Sequence, residues 1–158
     1  MSLKDVRIER RTIMVGDTDF AVRGLSMDIL LGLINSEPED VKEATRQFYQ
    51  EAMGSDGEIK GDGISRFISI LQRTLPKLTA KAIAEAADEP EMWETVKQLP
   101  APKQIEALLA VAQLTFEEPE ALKNFLANLS DLLGLLAAPT QTSERKIPSS
   151  GRKTSGRR

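Results

Sequence analysis

The sequence contains neither cysteine nor histidine. Without cysteine there is no disulfide and no thiolate chemistry, and a reducing compartment is the expected setting. Without histidine the usual general base near neutral pH is missing, and so are the common nucleophile–base pairs. Zinc and most transition metals lose their preferred ligands for the same reason. Carboxylates, lysines, hydroxyls and the single Tyr49 remain, so no catalytic residue, metal site or cofactor is expected, and the chain does not read as an enzyme. Aromatics are scarce too, 4% against 41% apolar residues overall. The core must therefore be built from Leu, Ile, Val, Ala and Met, which favours helix packing over a sandwich or barrel. No apolar run is long enough to cross a membrane. The best candidate, around 122–138, is broken by Lys123, Asn124, Asn128, Ser130 and Asp131. The start of the chain, with Arg7, Glu9, Arg10 and Arg11 among its apolar residues, does not read as a signal peptide, and a cytoplasmic protein is expected.

What is present is unevenly charged. The 158 residues carry a net charge of −3. From Thr140 onward, Arg145, Lys146, Arg152, Lys153, Arg157 and Arg158 face Glu144 alone, a net of +5. Residues 1–139 then hold fifteen basic against twenty-three acidic side chains, a net of −8. An acidic body bears a basic tail.

Periodicity divides the chain. Residues 6–24 read as strands, with Thr12–Val15 and Phe20–Arg23 flanking a turn at Gly16-Asp17-Thr18-Asp19. An isolated hairpin is marginal in water, so it should lie on helices or pair with another chain. From Ser26, a plausible N-cap, the period becomes helical, with Leu25, Ile29, Leu33 and Ile34 on one stripe. Ser36-Glu37-Pro38-Glu39 has capping-box spacing and should start a helix to about Met53. Ile64, Phe67, Ile68, Leu71 and Leu75 mark the next, which ends before Pro76. After an alanine-rich stretch to Ala87, Asp88-Glu89-Pro90-Glu91 resembles another capped start, and Leu99-Pro100-Ala101-Pro102 a stop and restart. The stripe Leu122, Phe125, Leu126, Leu129, Leu132, Leu133 and Leu136 is the best-patterned helix. The expected fold is mainly α: a short N-terminal β-hairpin (1–25), a compact bundle of about five to six helices (26–138), and a disordered basic tail (139–158) with Ile147 as its one large apolar side chain.

The chemical motifs dissolve on inspection. Asp56-Gly57-Glu58-Ile59-Lys60-Gly61 resembles a calcium loop, but Lys60 stands where an oxygen ligand is needed and Phe67 where the bidentate Glu belongs. Asp17 and Asp19 could pose as a catalytic carboxylate pair, yet they read as turn residues with nothing to bury them. The glycines at 54, 57, 61 and 63 lack the Gly-Lys-Ser/Thr of a phosphate loop. The basic tail admits weak phosphate binding but has no interleaved aromatics for stacking. Leu122, Phe125, Leu126, Leu129 and Leu133 are either core or a partner-facing apolar surface.

Phe20-Ala21-Val22-Arg23-Gly24-Leu25-Ser26-Met27-Asp28, a strand turning into a helix, resembles the opening of the tail assembly chaperones of long-tailed, non-contractile bacteriophages. Ala82-Ile83-Ala84-Glu85-Ala86-Ala87-Asp88-Glu89, Leu99-Pro100 and Gln104-Ile105-Glu106-Ala107-Leu108 continue the likeness. Leu114-Thr115-Phe116-Glu117 and Leu122-Lys123-Asn124-Phe125-Leu126 follow in the expected order. The similarity covers roughly residues 12–136, and its weight lies in the order of weakly specific apolar motifs. The resemblance implies a protein absent from the finished virion that coats the helical tape measure protein, keeps it soluble and helps recruit tail tube subunits. It also implies self-association and, in many members, a longer frameshifted product that contacts the tube protein. On this reading the hairpin at Phe20 and Val22, with Leu25, is the expected contact between copies. The alternative is a nucleic-acid-associated helical regulatory or architectural protein that uses the basic tail.

Overall fold

A computed structural model describes residues 1–52 and 61–132. Strand β1 (Arg10–Val15) pairs antiparallel with β2 (Thr18–Arg23), Ile13 opposite Phe20 and Arg10 opposite Arg23. Their two-residue connection is Gly16-Asp17, and Gly16 supplies the positive φ (62°) that such a tight turn needs at its first position. The ladder begins at Arg10 and not at residue 6, because β2 ends at Arg23 and offers nothing to pair with the preceding residues. Asp17 and Asp19 are exposed at the turn.

Seven α-helices follow among the described residues: α1 (Met27–Ser36), α2 (Pro38–Ala52), α3 (Gly63–Thr74), α4 (Pro76–Ala86), α5 (Trp93–Lys97), α6 (Ala101–Thr115) and α7 (Pro119–Leu132). Ser26 caps α1, its hydroxyl accepting from the Ile29 N–H. Ser36 does not cap α2. It closes α1 instead, donating its hydroxyl to the Leu33 carbonyl at 2.7 Å, while the Glu37 carbonyl accepts the first α2 bond from Val41 at 3.0 Å. Pro38 forbids a continuous helix, so the break falls one residue later than the box pattern implies. Leu75 alone links α3 to α4, held out of the helical region before Pro76 at φ −133° and ψ 53°. The expected cap at Asp88 is also replaced: the residue has φ +60°, and its carboxylate turns towards the hairpin.

Helix α6 is the axis of the fold. Ala107, Leu108, Ala110, Val111 and Ala112 are buried where it packs on α3, α4 and both strands. The small residues Ala80, Ala84 and Ala86 of α4 are buried and allow close approach of its neighbours. Between α2 and α3 the buried Phe48 meets Phe67 edge-on, centroids 5.6 Å apart. Gln104 turns back to donate to the carbonyls of Lys97 and Leu99, satisfying the end of α5.

The hairpin is seated on this bundle at three levels. Val22 (0% exposed) and Ile13 enter the core. Gly24 passes so close to α6 that a Cβ there would lie 2.6 Å from the Leu114 carbonyl oxygen, and the next N–H, that of Leu25, donates to Thr115 Oγ1 at 2.9 Å. Finally, Arg10 and Arg23 are cross-strand partners, a repulsive pair in isolation. Asp88 resolves the repulsion by accepting from Arg10 at 2.7 Å with one oxygen and from Arg23 at 2.9 Å with the other.

Two outcomes are expected. Gly24→Ala forces a methyl against backbone that cannot rotate away and should destabilise by ~1–3 kcal/mol in urea unfolding. The Arg10 and Arg23 guanidiniums hold the Asp88 carboxyl below its ordinary range. Its stabilising effect is therefore present above the unfolded-state value of about 3.9 and lost as pH falls through the lower folded value. Asp88→Asn, which still tolerates positive φ, should be less stable than wild type at pH 7, and the gap should close below about pH 4.

Candidate functional site

The interior holds an apolar cavity of about 110 Å³ where α1, α2, α3, α4, α6 and α7 converge, partly open to solvent. Each helix contributes a stripe residue: Leu33 from α1, Ala44 from α2, Leu71 from α3, Leu78 from α4, Ala112 from α6 and Leu129 from α7. Three threonines also reach it, and each hydroxyl is already engaged. Thr45 donates to the Val41 carbonyl at 2.8 Å and Thr79 to Pro76 at 2.9 Å. Thr115 donates to Val111 at 2.6 Å while accepting from the Leu25 N–H. With those groups satisfied the wall presents almost only carbon, so a water inside would find no partners. A cavity of ~150 Å³ lined this way in another protein stays dry and takes up benzene.

The energetic meaning follows from size. At ~24 cal/mol per Å³ of unfilled apolar space, this cavity forgoes about 2–3 kcal/mol of packing. An apolar side chain from a partner that filled it would gain that amount, on the order of a hundredfold in affinity. No group of acidic residues among the described residues is arranged to hold a metal, and no described helix is long and apolar enough to cross a membrane.

Residues 1–150 match the family described as pre-tape measure protein. The chain belongs to that family. No curated protein and no solved structure matches it. The family ties the chain to phage tail assembly and to the tape measure protein, and it is a family of assembly proteins, not of enzymes. That is the setting of the tail assembly chaperones the sequence resembles.

Within this member of the pre-tape measure family, the residues singled out from the sequence separate into three groups. Leu25, Phe125 and Leu129, from opposite ends of the chain, come together around the cavity. Phe125 is braced there by Phe116, ring centroids 5.2 Å apart. Val22, Leu122 and Leu126 are fully buried within the monomer, so in this structure they offer no surface to another molecule. Phe20 is half-buried opposite Ile13. Leu133, the basic tail from Arg145 to Arg158, and the Asp56–Lys60 loop lie outside the described residues.

Sequence reasoning placed α1 but not the apolar side chains it leaves exposed. Met27–Ser36 is apolar over most of its surface, with Asp28, Asn35 and Ser36 together on one polar side. Yet Ile34 is its one buried side chain, while Met27 (60%) and Leu31 (38%) are exposed. Reading Leu25, Ile29, Leu33 and Ile34 as its stripe passed over the leucines at 30 and 31, which was the signal. Trp93 was read only as part of the helix that follows Pro90, and the lysines around its ring went unremarked.

The division between core and cavity is testable. Leu126→Ala (1% exposed in wild type) should cost ~2–5 kcal/mol in urea unfolding, as a core truncation does. A loss below about 1 kcal/mol would mean that the face of α7 carrying Leu126 is not packed as described.

Proposed function

We propose that the chain is a tail assembly chaperone that binds the tape measure protein, shields apolar faces of its helices and keeps it soluble until tube subunits assemble around it. The observation that carries this reading is the carbon-lined cavity with its open mouth. A helix laid in a hydrophobic groove is anchored by side chains at i, i+3, i+4 and i+7, and such anchors need preformed sockets. One socket of this size fits one such anchor, and the half-exposed Leu30, Leu33 and Phe67 at its rim extend the apolar contact. The family and the resemblance to tail assembly chaperones supply the partner's identity. Recruitment of tube subunits, assembly of several copies along the tape measure protein and action in the host cytoplasm belong to the same reading and rest on that resemblance.

The test is co-expression with the tape measure protein of the same phage, followed by size-exclusion chromatography, using wild type and Ala112→Leu. Leucine at 112 places its branch in the cavity and should stabilise the free chain by ~0.5–2 kcal/mol, as cavity filling does. The tape measure protein is expected to be soluble and to co-elute with wild type, and to lose both with the folded variant. Insolubility beside wild type, or solubility alone with separate elution, overturns the masking role. Undiminished co-elution with Ala112→Leu overturns the cavity as the anchor.

A further inference from the structure

Of the nine large apolar side chains left exposed among the described residues, four (Met1, Leu3, Val6 and Ile8) lie in the short arm ahead of β1. We infer that this arm seats its apolar side chains in the cavity of a second copy of the chain, and holds that cavity until the tape measure protein displaces it. The inference rests on the reading of the cavity as a socket and adds what fills it in the free protein.

Nothing in the chain itself covers the arm. All of residues 1–9 are exposed, and their hydrogen bonds stay between Ser2 and Val6. The Ser2 N–H donates to the Asp5 carboxylate at 3.0 Å and the Val6 N–H to the Leu3 carbonyl at 3.3 Å, closing one turn over Leu3–Asp5. Leu3 stands 91% exposed on that turn. Val6-Arg7-Ile8-Glu9 then alternates apolar with charged, the period of a strand that buries one side. Yet Val6 and Ile8 remain 65% and 64% exposed. Because the turn is already ordered, docking the arm costs less freedom than docking an unstructured segment.

The cavity is the matching feature. It accepts one aliphatic side chain, and the half-exposed Leu30, Leu33 and Phe67 at its rim offer contact to the next. Within one chain the two surfaces stay apart. Arg10, opposite Arg23 and held by Asp88 at 2.7 Å, fixes the root of the arm, which leaves the body from there. A second copy satisfies both surfaces without moving either root. Charge favours the approach: residues 1–8 carry Lys4 and Arg7 against Asp5, a net of +1, whereas residues 9–139 hold thirteen basic against twenty-two acidic side chains, a net of −9. The hairpin cannot supply the contact through Val22, which is wholly buried. Arm and cavity are different patches, so the contact is heterologous. Each copy gives one arm and receives one, which builds a ring or an open chain of copies in place of a two-fold dimer.

Two full-length variants dissect this contact. Leu3→Asn with Val6→Asn and Ile8→Asn strips the arm at exposed positions and keeps the cavity. Ala112→Leu fills the cavity and keeps the arm; Ala44→Leu, which fills it from α2, takes its place if urea unfolding shows the first to be unfolded. In sedimentation velocity, wild type should associate as concentration rises. Each variant alone should associate on the order of a hundredfold more weakly. Mixed, the two variants should form a 1:1 heterodimer that grows no further, since one supplies the only arm and the other the only cavity. Monomeric wild type, undiminished association of either variant, or no heterodimer on mixing overturns the inference. The arm variant should still co-elute with the tape measure protein. If wild type fails to bind that protein while the heterodimer forms, the chaperone role falls and the arm contact stands; co-elution without a heterodimer does the reverse.

Discussion

The structure turns on the point where Gly24 crosses α6. There the backbone leaves the hairpin with no side chain between it and the Leu114 carbonyl, and every other residue type would lift it away. Because Gly24 is pinned, Leu25 faces the cavity, its N–H engages Thr115, and Ser26 stands where it caps α1. Thr115 is then occupied twice, donating within α6 and accepting from Leu25, which removes the polar group nearest the Leu25 side of the cavity. The hairpin is thus more than an appendage to the bundle. It sets the position of α1, which walls one side of the cavity with Leu30, Leu33 and Ile34.

Asp88 supports the same junction electrostatically. Two arginines facing each other across a two-stranded ladder repel, and a sheet this small has little else to oppose them. One carboxylate reaching both makes the pair favourable and anchors the open end of the hairpin at the end of α4. Each bond is solvent-exposed and individually modest. Their joint effect is geometric, because it leaves the hairpin's turn free and its base fixed.

Much of this was legible in the sequence, and the misses share a cause. The change of period at Ser26, the breaks at Pro76 and at Pro100-Ala101-Pro102, and the stripe ending in α7 are local properties, and local physics placed them. Ser36 and Asp88 were misread because a capping pattern states what a side chain can bind locally, whereas partners elsewhere decided. Ser36 had a nearer carbonyl in Leu33, and Asp88 had two arginines more than sixty residues away. The candidate surfaces failed to sort for the same reason. Leu126 and Leu129 are indistinguishable by periodicity, yet one is buried in packing and the other lines the cavity, a difference made by what the remaining helices happen to fill.

Two recesses on one small chain would be a hazard if both accepted any greasy helix, and their chemistry argues against that. The inner cavity is almost wholly carbon, its threonine hydroxyls already engaged, so it discriminates by shape and supplies affinity without selectivity. The groove between α1 and the α4–α5 corner carries charge of both signs on its walls, Asp28 and Glu85 beside Lys81, and charge is what separates one amphipathic helix from another. The body of the chain, with its net of −8, repels acidic segments in general. That field is screened beyond about 8 Å at physiological salt, so the outcome at contact belongs to the nearest groups.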